Sequence, residues 1–437
     1  MNSTRREFLR RTLGGSAFLT FSGAVPGFLS STALAAGSGA GKADRVLVVI
    51  QLSGGNDGLN TVVPFEDDAY HRARPTLRMK PEQVHKLEAG LGLHPEMPAF
   101  LRLYREGHLS IVQGVGYPNS NRDHGPAMRD WHTAKPTEES GRSGSPMAMM
   151  AGDTSSSSHL TDTGWVGRAL DCLGEFNRGV PGLFAGRIRP PWSVRSERVF
   201  VPAVRGLDSW LLSPPGGPDA ESRFAQDIAE LAGVSRADAT EPLLEFARRV
   251  TLEACAANRR LEAVLRERND KYPGFPLART LRTIAELMRA DLGVRMYFAE
   301  LGGGEIGGFD THAGQAMNHG ALLRELSESV AAFLDDLRRD GLLDSVLVMT
   351  FSEFGRTLTE NGRHGTGHGA AAPMFVAGGK VKGGLVGAHP SLTQLDNDAP
   401  PFHTDFRRVY ATVLESWLEL DSEAVLGPKF GVLTTLV

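Results

Sequence analysis

The sequence predicts an α/β fold in which a largely parallel central sheet is sandwiched by helices. Two runs, Arg45–Leu52 and Ser345–Phe351, are apolar enough to be strands that are buried on both faces, and Arg295–Leu301 has the pattern of a third strand. The stretch His319–Arg339 carries its leucines on one stripe and predicts an amphipathic helix. A strand, a helix and a strand in that order form a βαβ unit, whose two strands are parallel.

The remaining elements are weaker but consistent with this fold. Further elements are predicted at Pro95–Glu106 (helix), Leu109–Val112 (strand), Glu241–Asn269 (helix) and Pro276–Asp291 (helix). Residues 135–163 are rich in Ser, Gly, Pro and Thr, and residues 185–220 are rich in Pro and Gly. Such compositions are typical of loops. We therefore predict a single domain over residues 36–437 with a loop-rich insertion at about 135–220.

The composition excludes several classes of protein. The 437 residues include 47 Lys+Arg and 51 Asp+Glu, which gives a net charge of −4. A hydrophobic content of 41% and a charged content of 22% exclude a mainly disordered chain. The near-neutral charge offers no electrostatic reason to expect nucleic acid as a partner. The two cysteines, Cys172 and Cys255, are too few for a disulfide framework or a thiolate zinc site.

The N-terminus has the pattern of an export signal. The segment Ser3–Leu9 pairs two arginines with Phe-Leu, a weakly apolar stretch follows, and Ala33–Ala35 offers small residues for cleavage. This pattern predicts a twin-arginine signal peptide over residues 1–35, with the twin-arginine translocation machinery as partner and a periplasmic or secreted location. The alternative, an amphipathic helix, is disfavoured by glycines and a proline between positions 14 and 27. No later segment reaches the roughly 18 apolar residues of a membrane span, so no membrane anchor is expected in the mature form.

The candidate site lies in polar, Gly-containing loops at the carboxyl ends of predicted strands. Open α/β sheets bind ligands at that edge. In chain order the loops contain Asp57 after Arg45–Leu52, His124 after Leu109–Val112, Asp310 and His312 after Arg295–Leu301, Glu353 after Ser345–Phe351, and then His368.

Carboxylates and imidazoles that converge in this way favour a divalent metal. Oxygen and nitrogen donors suit Zn, Mn or Mg, and carboxylates crowded in one crevice repel one another unless a cation neutralises them. The predicted ligands, for one or two ions, are Asp57, Asp310, His312, Glu353 and His368. Structural alternatives remain open: a tight turn at Asp57, a helix N-cap at Asp310, and an ion pair between Glu353 and Arg356.

Several ordered motifs carry a family likeness. They are Gly54–Asn60 with Val63-Pro64, Gly114–Pro118 through Trp131–Thr133, Gly308–His312, Thr350–Arg356, Gly383–Leu385 and Thr404–Arg407. With these motifs the chain resembles the bacterial family catalogued as domain of unknown function 1501, over about Val46 to Leu418. That family is similar to the alkaline phosphatase and sulfatase superfamily, whose α/β sandwich holds one or two divalent metals at the carboxyl edge of its sheet.

The resemblance implies a role for each of these residues. Asp57 would match the first metal carboxylate, Asp310 and His312 the central ligand segment, Glu353 a second carboxylate, and His368 a late histidine that closes the site.

At two positions the chain departs from the family pattern. Asp123 stands where a serine commonly precedes the histidine, His124, and Gly367 stands where an aspartate commonly precedes His368. A serine or threonine nucleophile is therefore not evident. Asp123 would ligate metal, or a metal-activated water would attack directly. The predicted catalytic residues are Asp123 and His124, with Arg122 and Arg356 as electrostatic clamps on the substrate.

Three functions are compatible with this site. The first is an exported metal-dependent hydrolase of phosphate or sulfate esters, acting on a small-molecule substrate. The second is a non-catalytic protein of the cell envelope that binds a ligand or partner on the same scaffold, because a fold does not certify activity. The third and weakest is a carbohydrate-processing enzyme with paired carboxylates, which would be independent of metal.

Overall fold

The computed structural model describes most of the predicted domain. The described residues are 45–135, 163–174, 182–186, 190–199, 201–204, 207, 256–266, 271–302 and 308–437. The predicted signal peptide over residues 1–35 lies outside these ranges, as do most of the predicted insertion, Cys255 and residues 241–255 of a predicted helix.

The described chain is built around a large mixed sheet. The strands, in chain order, are β1 (Val46–Leu52), β2 (Val62–Val63), β3 (His85–Lys86), β4 (Gly92–Leu93), β5 (Leu109–Gly116), β6 (Gly182–Ala185), β7 (Ala203–Val204), β8 (Met296–Leu301), β9 (Val346–Phe351), β10 (Arg356–Glu360), β11 (Thr366–His368), β12 (Ala372–Gly378), β13 (Gly384–Val386) and β14 (Thr404–Asp405). The helices are α1 (Gly58–Thr61), α2 (Asp68–Ala73), α3 (Pro98–Arg105), α4 (His124–Thr133), α5 (Trp165–Gly174), α6 (256–266), α7 (Pro276–Arg289), α8 (Gln315–Arg339), α9 (Phe406–Thr412) and α10 (Ser422–Leu426).

The topology confirms the predicted α/β class. Among the described residues nine strands form one sheet, in the order β13-β5-β12-β9-β1-β8-β6-β7, and β14 also pairs with β5. Strand β12 is antiparallel to β5 and β9, and the other pairs in this sheet are parallel. Helices cover both faces, so the predicted sandwich with a largely parallel sheet is correct.

Strand β1 shows why the central strands are continuously apolar. Side chains alternate between the two faces of a strand. Val46, Val48 and Ile50 pack in a core that includes residues of α3, α7 and α8. Leu47 and Val49 pack in a second core, with residues of α4, α5 and α9. Since both faces of β1 are covered, both sets of side chains must be apolar.

Helix α8 begins earlier than its apolar stripe predicts. The predicted start is His319, whereas the helix begins at Gln315, after Gly314 in a left-handed conformation with φ of 53°. Gln315 is buried and its side chain hydrogen-bonds to Asp57 and Thr311. Polar contacts therefore hold the first turn of α8, and the spacing of apolar residues could not predict this turn.

The described part of the predicted insertion contains ordered elements. Strand β6 pairs in parallel with β8 and with β7, and so extends the central sheet. In α5, Trp165 is fully buried and stacks on Tyr410 at a centroid distance of 4.2 Å. These residues add to the sheet and to one core.

The strand directions bring the predicted loops to one place. Because β1, β5, β8 and β9 run in the same direction, their carboxyl ends lie at one edge of the sheet. The antiparallel β10–β11 hairpin follows β9, and its register places Arg356 opposite His368. Within the described ranges, every helix is too short or too polar to cross a bilayer.

Candidate metal centre

Three of the predicted site residues converge at the carboxyl edge of the sheet. His124, Asp310 and His368 each offer one ligand atom, and these atoms all lie within 4.8 Å of one another. The Nε2 atom of His124 is 3.4 Å from Asp310 Oδ2, and that of His368 is 3.2 Å from Asp310 Oδ1. The three residues come from the loops after β5 and β8 and from β11, so the fold assembles a site from residues far apart in the chain.

His312 lies on the same carboxylate. Its Nε2 atom is 2.9 Å from Asp310 Oδ1 and 2.9 Å from His368 Nε2. His312 and Asp310 are each more than a third exposed, whereas His368 is 19% exposed. The four side chains therefore form an open cluster that small molecules can reach.

In His124 and His368, the hydrogen bond at Nδ1 determines which ring nitrogen carries a proton and which can offer a lone pair to the cluster. His368 Nδ1 is 2.6 Å from the backbone carbonyl oxygen of Arg122. His124 Nδ1 is 3.1 Å from Glu353 Oε1. A carbonyl or carboxylate oxygen only accepts, so both Nδ1 atoms carry a proton, and the neutral form of each ring has its lone pair on Nε2. Metal-binding histidines are held in this way.

The donor set fits a divalent metal. Two imidazole nitrogens with lone pairs and a carboxylate face one another within coordination distance, and a third imidazole lies beside them. Nitrogen and oxygen donors without thiolate suit Zn or Mn, and Mg is less well matched by a set rich in histidine.

Charges around the cluster favour the ionised carboxylate. Partial burial would raise the pKa of Asp310, but the hydrogen bond and the positive charge of Arg356 outweigh it and hold the pKa at about 2. The hydrogen bond to Glu353 raises the pKa of His124 above its usual value. Burial lowers the pKa of His312. Asp310 is thus an anion at neutral pH, as a metal ligand must be.

The family of the chain is decided by its match to a family model. The model described as "Protein of unknown function (DUF1501)" matches residues 43–436. The chain belongs to this family. No curated protein matches the DUF1501 chain.

Solved structures similar to the DUF1501 chain include three from bacteria, all of low identity. The PsFucS1 sulfatase from Pseudoalteromonas sp. is 11% identical to this chain and has a TM-score of 0.38, and the match covers 93% of this chain and 74% of the sulfatase chain. A protein in the alkaline phosphatase superfamily from Vibrio parahaemolyticus is 10% identical, covers 86% of this chain and 74% of its own, and has a TM-score of 0.32. The alkaline phosphatase from the Antarctic bacterium TAB5 is 12% identical, covers 77% of this chain and 91% of its own, and has a TM-score of 0.31.

Glu353 reaches the cluster through His124. Its side chain is 2% exposed, and Oε1 accepts both the Gly54 N–H at 2.8 Å and the His124 Nδ1–H at 3.1 Å. Glu353 was predicted as a ligand; in this DUF1501 chain its Oε1 atom accepts a hydrogen bond from His124, and the ligand role stays a prediction. His124 was predicted as catalytic; its Nε2 atom faces the cluster, and the catalytic role stays a prediction. A carboxylate that holds a metal-binding histidine is a common arrangement.

Arg356 organises the loops that carry the site. Its side chain is fully buried and donates a hydrogen bond to Asp310 Oδ1 at 2.9 Å. It also donates to the backbone carbonyl oxygens of Gly54, Gly55, Phe309 and Thr366. Arg356 therefore pairs with Asp310 rather than with Glu353. Its guanidinium is hydrogen-bonded within the protein and closed to solvent, and the role of a clamp on a substrate stays a prediction.

Asp57 takes part in a buried ion pair, away from the cluster. Its carboxylate accepts two hydrogen bonds from Arg74, at 2.6 and 3.0 Å, and both side chains are fully buried. It also caps α1 through the Leu59 N–H and accepts from Gln315. Burial would raise the pKa of Asp57, but the charge of Arg74 and its hydrogen bonds lower it. With its oxygens used in this way, Asp57 lies outside the cluster in a structural ion pair, and its ligand role stays a prediction.

Arg122 and Asp123 lie beside the cluster, with their side chains directed elsewhere or exposed. The Arg122 guanidinium contacts Asp396 at 2.5 Å, so the predicted clamp is already paired. Asp123 precedes α4, is exposed, and makes no side-chain hydrogen bond to cap that helix. A catalytic role for Asp123 stays a prediction.

Phe354, which packs the two imidazoles together, is not among the predicted site residues. The Phe354 ring stacks on His368 at a centroid distance of 4.2 Å and contacts His124 at 5.0 Å. Its position directly after Glu353, in a loop that was already singled out, is the signal that could have identified it. Arg74 and Gln315 were also missed, since neither belongs to a polar loop at a strand end.

Gly55 leaves the space that Phe354 occupies, and the Gly55→Ala variant should disturb the centre. A Cβ atom at Gly55 would lie 2.1 Å from the Phe354 ring, and φ is +81°. We expect the ring to shift and the affinity for Zn to fall roughly tenfold, as for other groups that orient ligands. Isothermal titration calorimetry with Zn measures this affinity.

Gly107 offers the matched control for this substitution. Its φ is +79°, and nothing lies within 4 Å of the position that a Cβ atom would take. Gly107→Ala thus introduces the same backbone strain without the clash, and should leave Zn affinity unchanged. Equal affinities in the Gly55 and Gly107 variants would show that Phe354 does not orient the two histidines.

Proposed function

We propose that this DUF1501 protein is an exported, metal-dependent hydrolase of phosphate or sulfate esters. One observation carries the proposal: His124, Asp310 and His368 converge from three loops at one edge of the sheet, with His312 beside them. Oxygen and nitrogen donors at an open edge of this kind are the usual basis of metal-assisted ester hydrolysis.

The chain supplies the ligands and holds them in place. Asp310 and the Nε2 atoms of His124, His312 and His368 would hold the metal. When bound, a divalent ion supplies a Lewis acid that polarises the ester. Glu353 keeps the proton of His124 on Nδ1, and the carbonyl oxygen of Arg122 does the same for His368.

The location of the protein is part of the proposal. The paired arginines and the small residues near position 34 support export by the twin-arginine machinery, with removal of residues 1–35. That machinery exports folded proteins, so the metal would be bound before export or acquired in the periplasm.

Turnover by the purified protein tests the proposal. The chain is expressed from residue 36, its metal content is measured by elemental analysis, and it is loaded with Zn, Mn or Mg. Aryl phosphate monoesters, diesters and aryl sulfates are then assayed, with and without EDTA. We expect hydrolysis of at least one ester class that EDTA removes and added metal restores. Hydrolysis that is unaffected by EDTA would contradict the metal-dependent mechanism and favour paired carboxylates.

A non-catalytic binding protein is the second candidate. It is favoured by the finding that both predicted clamp arginines are engaged within the protein, Arg122 by Asp396 and Arg356 by Asp310. The same panel separates the two functions, because a protein that binds metal stoichiometrically yet hydrolyses none of the esters would have the second function.

The Glu353→Gln variant tests how His124 is held. Glutamine keeps the shape but can present its NH₂ group to His124 Nδ1, which would favour the tautomer with its proton on Nε2. We expect the Zn affinity to fall about 10- to 100-fold, the usual cost of losing such a partner. Glu360→Gln is the control, since Glu360 accepts the backbone N–H groups of Thr76 and Leu77, outside the cluster. Unchanged Zn affinity in the Glu353 variant would show that the charge of Glu353 is not needed to hold His124 for the metal.

A further inference from the structure

The turn between β10 and β11 exposes two basic side chains next to the candidate metal centre. It spans Asn361–Gly365, and both Arg363 and His364 are exposed. The Asn361 side chain holds the turn: its Oδ1 atom accepts the N–H groups of Arg363 at 2.9 Å and Gly365 at 3.2 Å. The turn therefore has a defined shape of its own.

The same turn is fastened to the segment that carries His312. Asn361 Nδ2 donates to the carbonyl oxygen of His312 at 3.0 Å, and the Gly314 N–H donates to the carbonyl oxygen of Arg363 at 2.9 Å. At Gly365 a Cβ atom would lie 2.2 Å from the carbonyl carbon of His312. Because these backbone segments are in direct contact, the backbone of Arg363 is held next to the segment that carries His312.

Arg363 differs from the other two arginines of these loops. Arg122 is paired with Asp396, and Arg356 is buried against Asp310 and four carbonyl oxygens. Arg363 makes no side-chain hydrogen bond or ion pair within the described part of the chain. Its guanidinium is thus available to a ligand, and a guanidinium matches the oxygens of phosphate, sulfate or carboxylate groups in a bidentate way.

We propose that Arg363 forms an anion subsite that binds a second negatively charged group of the substrate, next to the ester at the metal centre. The inference deepens the proposed function and rests on it. It identifies the substrates as esters that carry at least two anionic groups, such as a sugar or polyol with two phosphates or sulfates. Arg363 acts as a specificity-determining residue and contributes affinity through the group that is not hydrolysed.

Two ligands that differ by one phosphate test the subsite. Propyl phosphate and 1,3-propanediol bisphosphate are used as their phosphonate analogues, in which a C–P bond replaces the ester bond that the protein would hydrolyse. They are titrated into the Zn-loaded protein by calorimetry at low salt, because screening weakens exposed ion pairs. We expect the bisphosphate to bind more tightly to the wild type. The Arg363→Gln variant should lose about tenfold in affinity for the bisphosphate, as expected for one charge-assisted hydrogen bond, and less than twofold for propyl phosphate. Arg363→Lys should retain part of the preference.

Arg105→Gln is the matched control. Arg105 is exposed at the end of α3, just before β5, at the opposite edge of the sheet from the metal centre. This variant should bind both ligands as the wild type does. The subsite is rejected if the wild type does not prefer the bisphosphate, if Arg363→Gln weakens both ligands equally, or if neither ligand binds.

The calorimetric titration tests the subsite and the turnover assay tests the hydrolase, so either proposal can be rejected without the other. A protein that prefers the bisphosphate through Arg363 and hydrolyses no ester would keep the subsite and reject the hydrolase. A protein that hydrolyses esters with no role for Arg363 would keep the hydrolase and reject the subsite.

Discussion

The Asp310→Asn variant is expected to lose about a thousandfold in kcat/KM and most of its affinity for Zn. Asp310 contacts His124, His312 and His368 and is held ionised by Arg356. Asparagine keeps the size of the side chain but removes the charge that balances the cation. A loss of about 4 kcal/mol of transition-state stabilisation, which is typical of removing metal assistance, corresponds to a thousandfold in rate. Steady-state kinetics and Zn titration measure the two effects.

The control for this variant is an exposed aspartate at the other edge of the sheet. Asp344 lies just before β9 and pairs with Lys380 at 3.0 Å, with both side chains about 60% exposed. Asp344→Asn should leave kcat/KM and Zn affinity unchanged. If Asp310→Asn bound Zn as tightly as the wild type, the cluster would not be the metal centre, whatever activity the protein has.

Asp57 is expected to affect stability far more than metal binding. Replacing Asp57 with asparagine leaves the buried guanidinium of Arg74 without its counter-charge. Breaking a fully buried ion pair in this way typically costs about 3–5 kcal/mol in the free energy of unfolding. Urea denaturation of the metal-free protein measures the change. The predicted ligand role would instead be supported if the variant kept its stability and lost Zn.

A double variant and the pH dependence test the same ion pair. Removing both charges, with Asp57→Asn and Arg74→Met, should destabilise less than the sum of the single changes, because no unpaired charge remains. The pKa of Asp57 is lower in the folded protein than the usual 3.8. Its stabilising contribution is therefore complete above about pH 4, and is lost as the pH falls through the folded pKa. The gap in stability between wild type and variant should narrow in acid.

The fold could be predicted from local sequence patterns. Both faces of the central strands are covered, so each strand must be apolar along its whole length. Such an apolar run can be recognised in a short stretch of sequence. The strands β1, β8 and β9 and the helix α8 all appear where such patterns predicted elements. The one antiparallel strand found in the described part of the main sheet, β12, is not among the predicted elements. Its direction depends on pairing with distant strands and not on composition.

The site could be predicted as a set of loops, and less well as a set of roles. The order of the strands placed Asp310, His312 and His368 at one edge, and the structure brings them together. The roles of Asp57 and Glu353 depended on partners that no local pattern reveals. Arg74 lies on the chain 17 residues from Asp57, and His124 lies 229 residues from Glu353.

By itself, the sequence determined an α/β sheet with polar loops at its carboxyl edge and a donor set of oxygen and nitrogen atoms. The tertiary structure decided which of these donors face one another, which nitrogen of His124 and of His368 carries the proton, and which arginine of the described loops is open to a ligand. The physical reason is that burial of apolar residues follows a local period, whereas the charge state and direction of a polar side chain are set by the groups that folding brings against it.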